Sequence, residues 1–138
     1  MAAILVDTGI LYAVADIDDA WHEPVKVFLQ NTTDTLVVPI TVLPEICYLL
    51  SNHLGQESER RLIGSIIQGE LRIEALINED FRRSFQLLET YSDLNIGFVD
   101  ASVVAIAERL KIHRILTTDR KHFSVIRPRH CQTFELLP

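Results

Sequence analysis

The chain has 138 residues, 48% of them hydrophobic, and a formal net charge of −6. That length suits one domain, 1–138, and the hydrophobic share excludes a disordered chain. No run approaches the ~20 apolar residues of a bilayer span, and the acidic balance argues against an indiscriminate nucleic-acid coat. The opening, Met1 to Asp7, has no basic segment and meets an acid too early for a secretory signal. Cys47 and Cys131 are isolated and have no metal-type spacing. These features predict a cytoplasmic protein with no membrane association.

Ala3-Ile4-Leu5-Val6 reads as a buried strand that exits at Asp7-Thr8-Gly9, with Ile10, Leu11 and Val14 continuing as a helix to Ala15. An acidic loop over 16–19 leads to a second helix through Val25, Phe28 and Leu29, with Pro24 in its first turn. His22, with no partner nearby in sequence, reads as a loop or cap residue. Leu36-Val37-Val38 is a second strand, closed by Pro39. The helix that follows takes Thr41 as its expected N-cap and runs to His53. Glu45 is the only acid on it, and a carboxylate among Leu43, Ile46 and Leu49 needs a cation, a hydrogen-bond network or a way out to water.

Leu54-Gly55 ends that helix, and 57–68 is another, with Leu62, Ile63, Ile66 and Ile67 apolar. Leu71 to Glu74 alternates like a strand with one wet side. Residues 78–91 form an amphipathic helix with Asn78 as the expected cap. Its stripe of Phe81, Phe85, Leu88 and Tyr91 is expected to face the core.

Val99, Val103, Ile106 and Leu110 then mark a mostly buried helix with Asp100 at its entrance. Ile115-Leu116 is a short central strand, followed by Thr117-Thr118-Asp119, and 120–123 is expected to be a basic loop. Gln132 to Glu135 reads as a closing edge strand. The alternation of strand and helix predicts an α/β fold with a mostly parallel sheet.

Asp7 and Asp119 each follow an apolar strand, and Asp100 opens a helix. Taken singly, each is explained as a helix cap or a turn residue. In a parallel α/β sheet, however, strand carboxyl ends and helix amino ends meet at one edge, where ligands bind. Glu45 joins them if its helix begins at that edge. Four carboxylates together repel unless protons or cations compensate. With no His or Cys among them, oxygen-only ligands favour Mg²⁺ or Mn²⁺ over zinc, and phosphodiester hydrolysis is the natural reaction class. Residues 111–138 carry six Lys and Arg against Asp119 and Glu135. That segment is therefore +4 and the other 110 residues −10. Arg120 and Lys121 in it are candidates for holding a phosphate backbone.

Four segments, Ile4–Gly9, Pro39–Ile46, Phe98–Ser102 and Leu116–Phe123, resemble in order the signature segments of PIN domains. These are small metal-dependent nucleases, often the toxin of a VapBC-type (type II) toxin–antitoxin pair. The resemblance implies a three-layer α/β/α sandwich with a sheet of about five strands, and Mg²⁺- or Mn²⁺-dependent ribonuclease activity. It implies Asp7 and Asp100 as main metal ligands, Glu45 and Asp119 completing the shell, and Thr8 and Thr118 as supporting hydroxyls. It further implies an RNA substrate, a cognate antitoxin and self-association as a homodimer. Three other readings are a PIN-fold RNA-processing protein outside a toxin pair, a non-catalytic PIN-scaffold binding module and a phosphoryl-transfer protein of another kind. A dehalogenase-like phosphatase would need a second Asp where Gly9 stands. A receiver domain would need a phosphoacceptor Asp after 36–38, where Pro39 stands.

Overall fold

A computed structural model describes residues 2–138. The described residues form strands β1 (Ala3–Val6), β2 (Thr35–Pro39), β3 (Arg72–Glu74), β4 (Arg114–Leu116) and β5 (Glu135–Leu137). The helices are α1 (Thr8–Ala15), α2 (His22–Asn31), α3 (Val42–Leu54), α4 (Gln56–Ile67), α5 (Asn78–Thr90), α6 (Phe98–Leu110) and the single-turn α7 (Arg120–Phe123). The strands pair in the order β3-β2-β1-β4-β5, and every pairing is parallel. Helices α1 to α4 pack as one group and α5 with α6 as another, giving the α/β/α sandwich with five strands.

The order has a mechanical consequence. From β1 the chain moves outward through β2 and β3, then returns to the other side of β1 as β4. The order of winding therefore reverses between β1 and β4, the point at which parallel sheets of this kind open a crevice beyond the strand carboxyl ends. Ile4, Leu5, Val6, Ile115 and Leu116 are buried at the centre, sealed by an α6 whose residues 101–107 are all buried. Each such aliphatic side chain contributes about 1.5–3 kcal/mol by leaving water. Gly55 adopts φ +99° at the turn between α3 and α4, a conformation open chiefly to glycine.

Several local expectations are corrected. Thr41 stands before α3 but makes no cap bond, because its hydroxyl reaches Ser102 on α6 at 2.5 Å instead. Asn78 is the first residue of α5 rather than its cap, and Asp80 accepts from the Ile77 N–H at 2.9 Å. His22 opens α2 and donates from Nδ1 to the Ala13 carbonyl at 2.7 Å. The expected loop at 120–123 is a helical turn, and the edge strand lies three residues later than expected, at 135–137.

The largest correction concerns α5. Its buried residues are Asp80, Ser84 and Leu87, while Phe81 and Phe85 stand 52% and 64% exposed. Phe81 stacks on Phe98 of α6, with ring centroids 5.8 Å apart and an interplanar angle of 15°. On α4, Leu62 is buried and Ile67 is 80% exposed. Helical spacing locates a stripe, but tertiary partners decide which stripe turns inward.

Candidate active site

Asp7 follows β1 directly and caps α1, its Oδ1 accepting the Thr8 N–H at 2.8 Å. Its backbone N–H donates to the Leu116 carbonyl of β4 at 3.0 Å, which fixes it at the β1–β4 crevice. Oδ2 accepts from the Thr117 hydroxyl at 3.1 Å, and Thr117 is fully buried. The same hydroxyl accepts the Asp119 N–H at 2.9 Å, so one side chain ties the two acids together. The capping role of Asp7 is therefore real, and it leaves the carboxylate buried at the sheet edge.

Glu45 lies in the first turn of α3, and Thr8 donates its hydroxyl to Glu45 Oε1. Glu45 is exposed, so its burial carries no penalty: of the three remedies expected from sequence it has a hydroxyl partner and access to water. Asp100 sits in the first turn of α6, its Oδ2 accepting the Gly97 N–H at 3.1 Å. Asp119 precedes α7 and receives two bonds from one residue. The His122 N–H reaches Oδ1 at 3.0 Å, and His122 Nδ1 reaches Oδ2 at 2.8 Å.

The charges of these acids act on one another. Burial pushes Asp7 up to about 6, and the negative charges of Asp100 and Glu45 push the same way, against the hydrogen bonds from Thr8 and Thr117. Asp100 is also raised, first by burial and then by Asp119 and Glu45, with the Gly97 N–H and His122 opposing. Among the described residues, no Lys or Arg forms an ion pair with Asp7, Glu45, Asp100 or Asp119, whose one ion-pair partner is His122. Nor do any three Asp, Glu, His or Cys side chains among them stand together as a ready-made ion cage. The acids thus share a sheet edge and an electrostatic field, and among the described residues no Lys or Arg is paired with Asp7, Glu45 or Asp100. In donor type they fit a hard cation such as Mg²⁺ or Mn²⁺, which takes oxygen ligands and keeps part of its water.

The other residues singled out from sequence fall in different places. Thr8 touches Glu45 through its hydroxyl and Asp7 through its N–H. Thr118 packs on Gly9, where a Cβ would collide with the Thr118 hydroxyl, so glycine lets the exit of β4 approach α1. The hydroxyl that contacts Asp7 belongs to Thr117, a residue the sequence reading passed over. Its only sequence signal was its place between an apolar strand and Asp119. Arg120 turns away from solvent: its guanidinium lies 5.4 Å from the Trp21 ring centroid and donates to the Pro138 carbonyl at 2.7 Å. Lys121 is exposed. Arg127 bonds the Ser124 carbonyl and Arg129 bonds Gln86, so both are engaged locally.

The sequence matches the PIN domain family model over residues 4–127. The chain belongs to the PIN domain family. It is 29% identical over 135 residues to Ribonuclease VapC26 of Mycobacterium tuberculosis (strain ATCC 25618 / H37Rv), covering 98% of this chain and 100% of that protein. The PIN fold superimposes on that of the M. tuberculosis toxin VapC20, which cleaves the sarcin–ricin loop. The TM-score is 0.79 at 20% identity, over 86% of this chain and 91% of that one. It also superimposes on VapBC2 from Rickettsia felis, solved with a promoter DNA fragment. There the TM-score is 0.68 at 18% identity, over 99% of each chain. No helix among the described residues is long and apolar enough to cross a membrane.

Proposed function

We propose that this PIN protein is a ribonuclease that hydrolyses RNA phosphodiester bonds with Mg²⁺ or Mn²⁺, and acts as the toxin of a type II toxin–antitoxin pair in the cytoplasm. The observation that carries the reading is the set of carboxylates at the β1–β4 crevice. Asp7 is pushed up to about 6 there, with no Lys or Arg in an ion pair with it among the described residues. A nuclease needs such uncompensated charge to attract a divalent ion, whereas a merely structural acid would be paired. Asp7 and Asp100 are the main ligands in this reading, and Glu45 and Asp119 complete the shell, directly or through water. The bound ion would lower the pKa of an attacking water and steady the leaving oxygen.

The chain's own residues prepare the site. The Thr8 N–H and the Thr117 hydroxyl orient Asp7, the Gly97 N–H orients Asp100, and the Thr8 hydroxyl orients Glu45. Exposed Lys121 remains a candidate for a phosphate contact. The engagement of Arg120 with Trp21 and Pro138 favours a structural part for it over the substrate contact expected from sequence.

The partner reading rests on a cavity of about 680 Å³ lined by Leu11 and Val14 of α1, Leu29 of α2, Leu50 of α3 and Leu62 of α4. These apolar side chains, with Asp34, Arg61 and Glu70 also in the lining, suit an amphipathic helix that presents both apolar and charged residues, and in our reading the antitoxin supplies that helix. Self-association as a homodimer is supported by the exposed patch of Ile77, Phe81, Phe85 and Phe98, 40–64% exposed, since clustered apolar surface marks interaction sites. Incubating purified protein with RNA, with Mn²⁺ or with EDTA, tests the activity. Cleavage that needs the ion and vanishes in Asp7→Asn is expected, and undiminished cleavage in EDTA would overturn the reading.

A further inference from the structure

His122 is the imidazole nearest the acidic edge that the sequence reading left unused. It is half-buried on α7, its side chain 22% exposed. Both oxygens of Asp119 are engaged by this one residue, through its main-chain N–H at 3.0 Å and its ring Nδ1 at 2.8 Å. An ionised carboxylate only accepts, so Nδ1 must carry the proton, whatever the state of Nε2. The main-chain bond caps α7 and any residue at 122 would make it. The ring bond is additional, and a cap does not need it. It pins the second oxygen, so the Asp119 side chain can no longer swing about its bond to the backbone. On the other side, the Asp119 N–H is held by Thr117, whose hydroxyl also holds Asp7. The result is a continuous chain of bonds: His122 ring to Asp119, Asp119 main chain to Thr117, Thr117 to Asp7.

We propose that His122 is a positioning residue that fixes the Asp119 carboxylate relative to Asp7, so that Asp119 meets its part of the reaction in one orientation. The proposal rests on the ribonuclease reading and deepens it. Losing the ring bond frees Asp119 to rotate, and misplacement of a catalytic group by about 1 Å costs up to about 100-fold in rate. Binding of RNA does not depend on that rotation, so the loss falls on kcat and not on KM.

The test compares wild type, His122→Ala and His122→Asn on one RNA with Mn²⁺, with Asp7→Asn as the inactive control. Asn places an amide N–H where Nδ1 stands, so it can restore the bond without an imidazole. The expected result is a kcat about 10- to 100-fold lower in His122→Ala. KM and the melting temperature should be unchanged, with most of the rate recovered in His122→Asn. Independently of activity, the ring ¹⁵N shifts of wild type should report a proton on Nδ1, and that signature should weaken in Asp119→Ala. Wild-type kcat in His122→Ala, or equal losses in the Ala and Asn variants tracking a lower melting temperature, would overturn the proposal. Failure of wild type itself to cut RNA would instead count against the ribonuclease reading.

Discussion

Asp80 and Asp7 are both buried aspartates, at 2% and 7% exposure, and their surroundings are opposites. Asp80 on α5 is surrounded by donors: Arg109 of α6 reaches it from Nε at 3.1 Å and from Nη2 at 3.0 Å, and the Ile77 N–H adds a third group. The same guanidinium reaches Glu74 of β3 at 3.2 Å, joining two helices and a strand. Asp7 has a hydroxyl and one N–H, and its carboxylate neighbours add repulsion. The protein therefore neutralises buried acid where it needs cohesion and leaves it uncompensated at the crevice.

The comparison breaks first at Asp80. Replacing it with Ala removes the main partner of half-buried Arg109, which keeps Glu74 and the Ala75 carbonyl, so the cost falls at the low end of the range of about 3–5 kcal/mol for a buried pair. Urea denaturation of Asp80→Ala against wild type measures it. Asp100→Asn, which removes a half-buried charge from the crevice, should instead leave the metal-free protein as stable or firmer while abolishing cleavage. A destabilisation like that of Asp80→Ala would make Asp100 structural.

The pH dependence sharpens the contrast. Asp7 is raised from an ordinary 3.8 to about 6, so its protonated form is the one the fold prefers. Its contribution to stability is present in full below about 3.8 and is lost as pH rises through about 6. At about 1.36 kcal/mol per pKa unit this amounts to an order of 3 kcal/mol. Denaturation in EDTA across pH 4 to 8 should therefore show wild type falling behind Asp7→Asn as the pH rises. Parallel curves would contradict the burial penalty on the Asp7 charge and the smaller repulsion from Asp100 and Glu45.

A smaller effect is expected at Thr117. Thr117→Val keeps the shape but strips the hydroxyl that serves both Asp7 and the Asp119 N–H, a loss of about 1–3 kcal/mol. The smallest belongs to the surface pair Arg61–Glu57, both side chains over two-thirds exposed, where Glu57→Ala should leave the melting temperature unchanged.

These differences also explain what the sequence disclosed. Asp7 was legible because strand, acid and helix follow each other within a dozen residues, and β1 and α1 fall where that pattern places them. The parallel sheet followed from alternation alone. The inner face of α5 was not legible, because Asp80 is buried by an arginine 29 residues away and the spacing of Phe81 and Phe85 names a stripe without a direction. Thr41 was misread for the same reason, its partner Ser102 lying 61 residues on. In the crevice the acids were visible as residue types at strand exits and helix entrances. Thr117 and His122 were not, since a hydroxyl and an imidazole acquire their meaning only from what they touch.

The central claim is that the crevice acids are held uncompensated for a divalent cation. Thermal melting in EDTA and in rising Mn²⁺, for wild type and for Asp7→Asn, tests it most directly, because a ligand bound only by the folded state raises the melting temperature. The account predicts a concentration-dependent rise in wild type that is lost or greatly reduced in Asp7→Asn. A wild-type melting temperature indifferent to Mn²⁺, or an equal rise in both proteins, would contradict it.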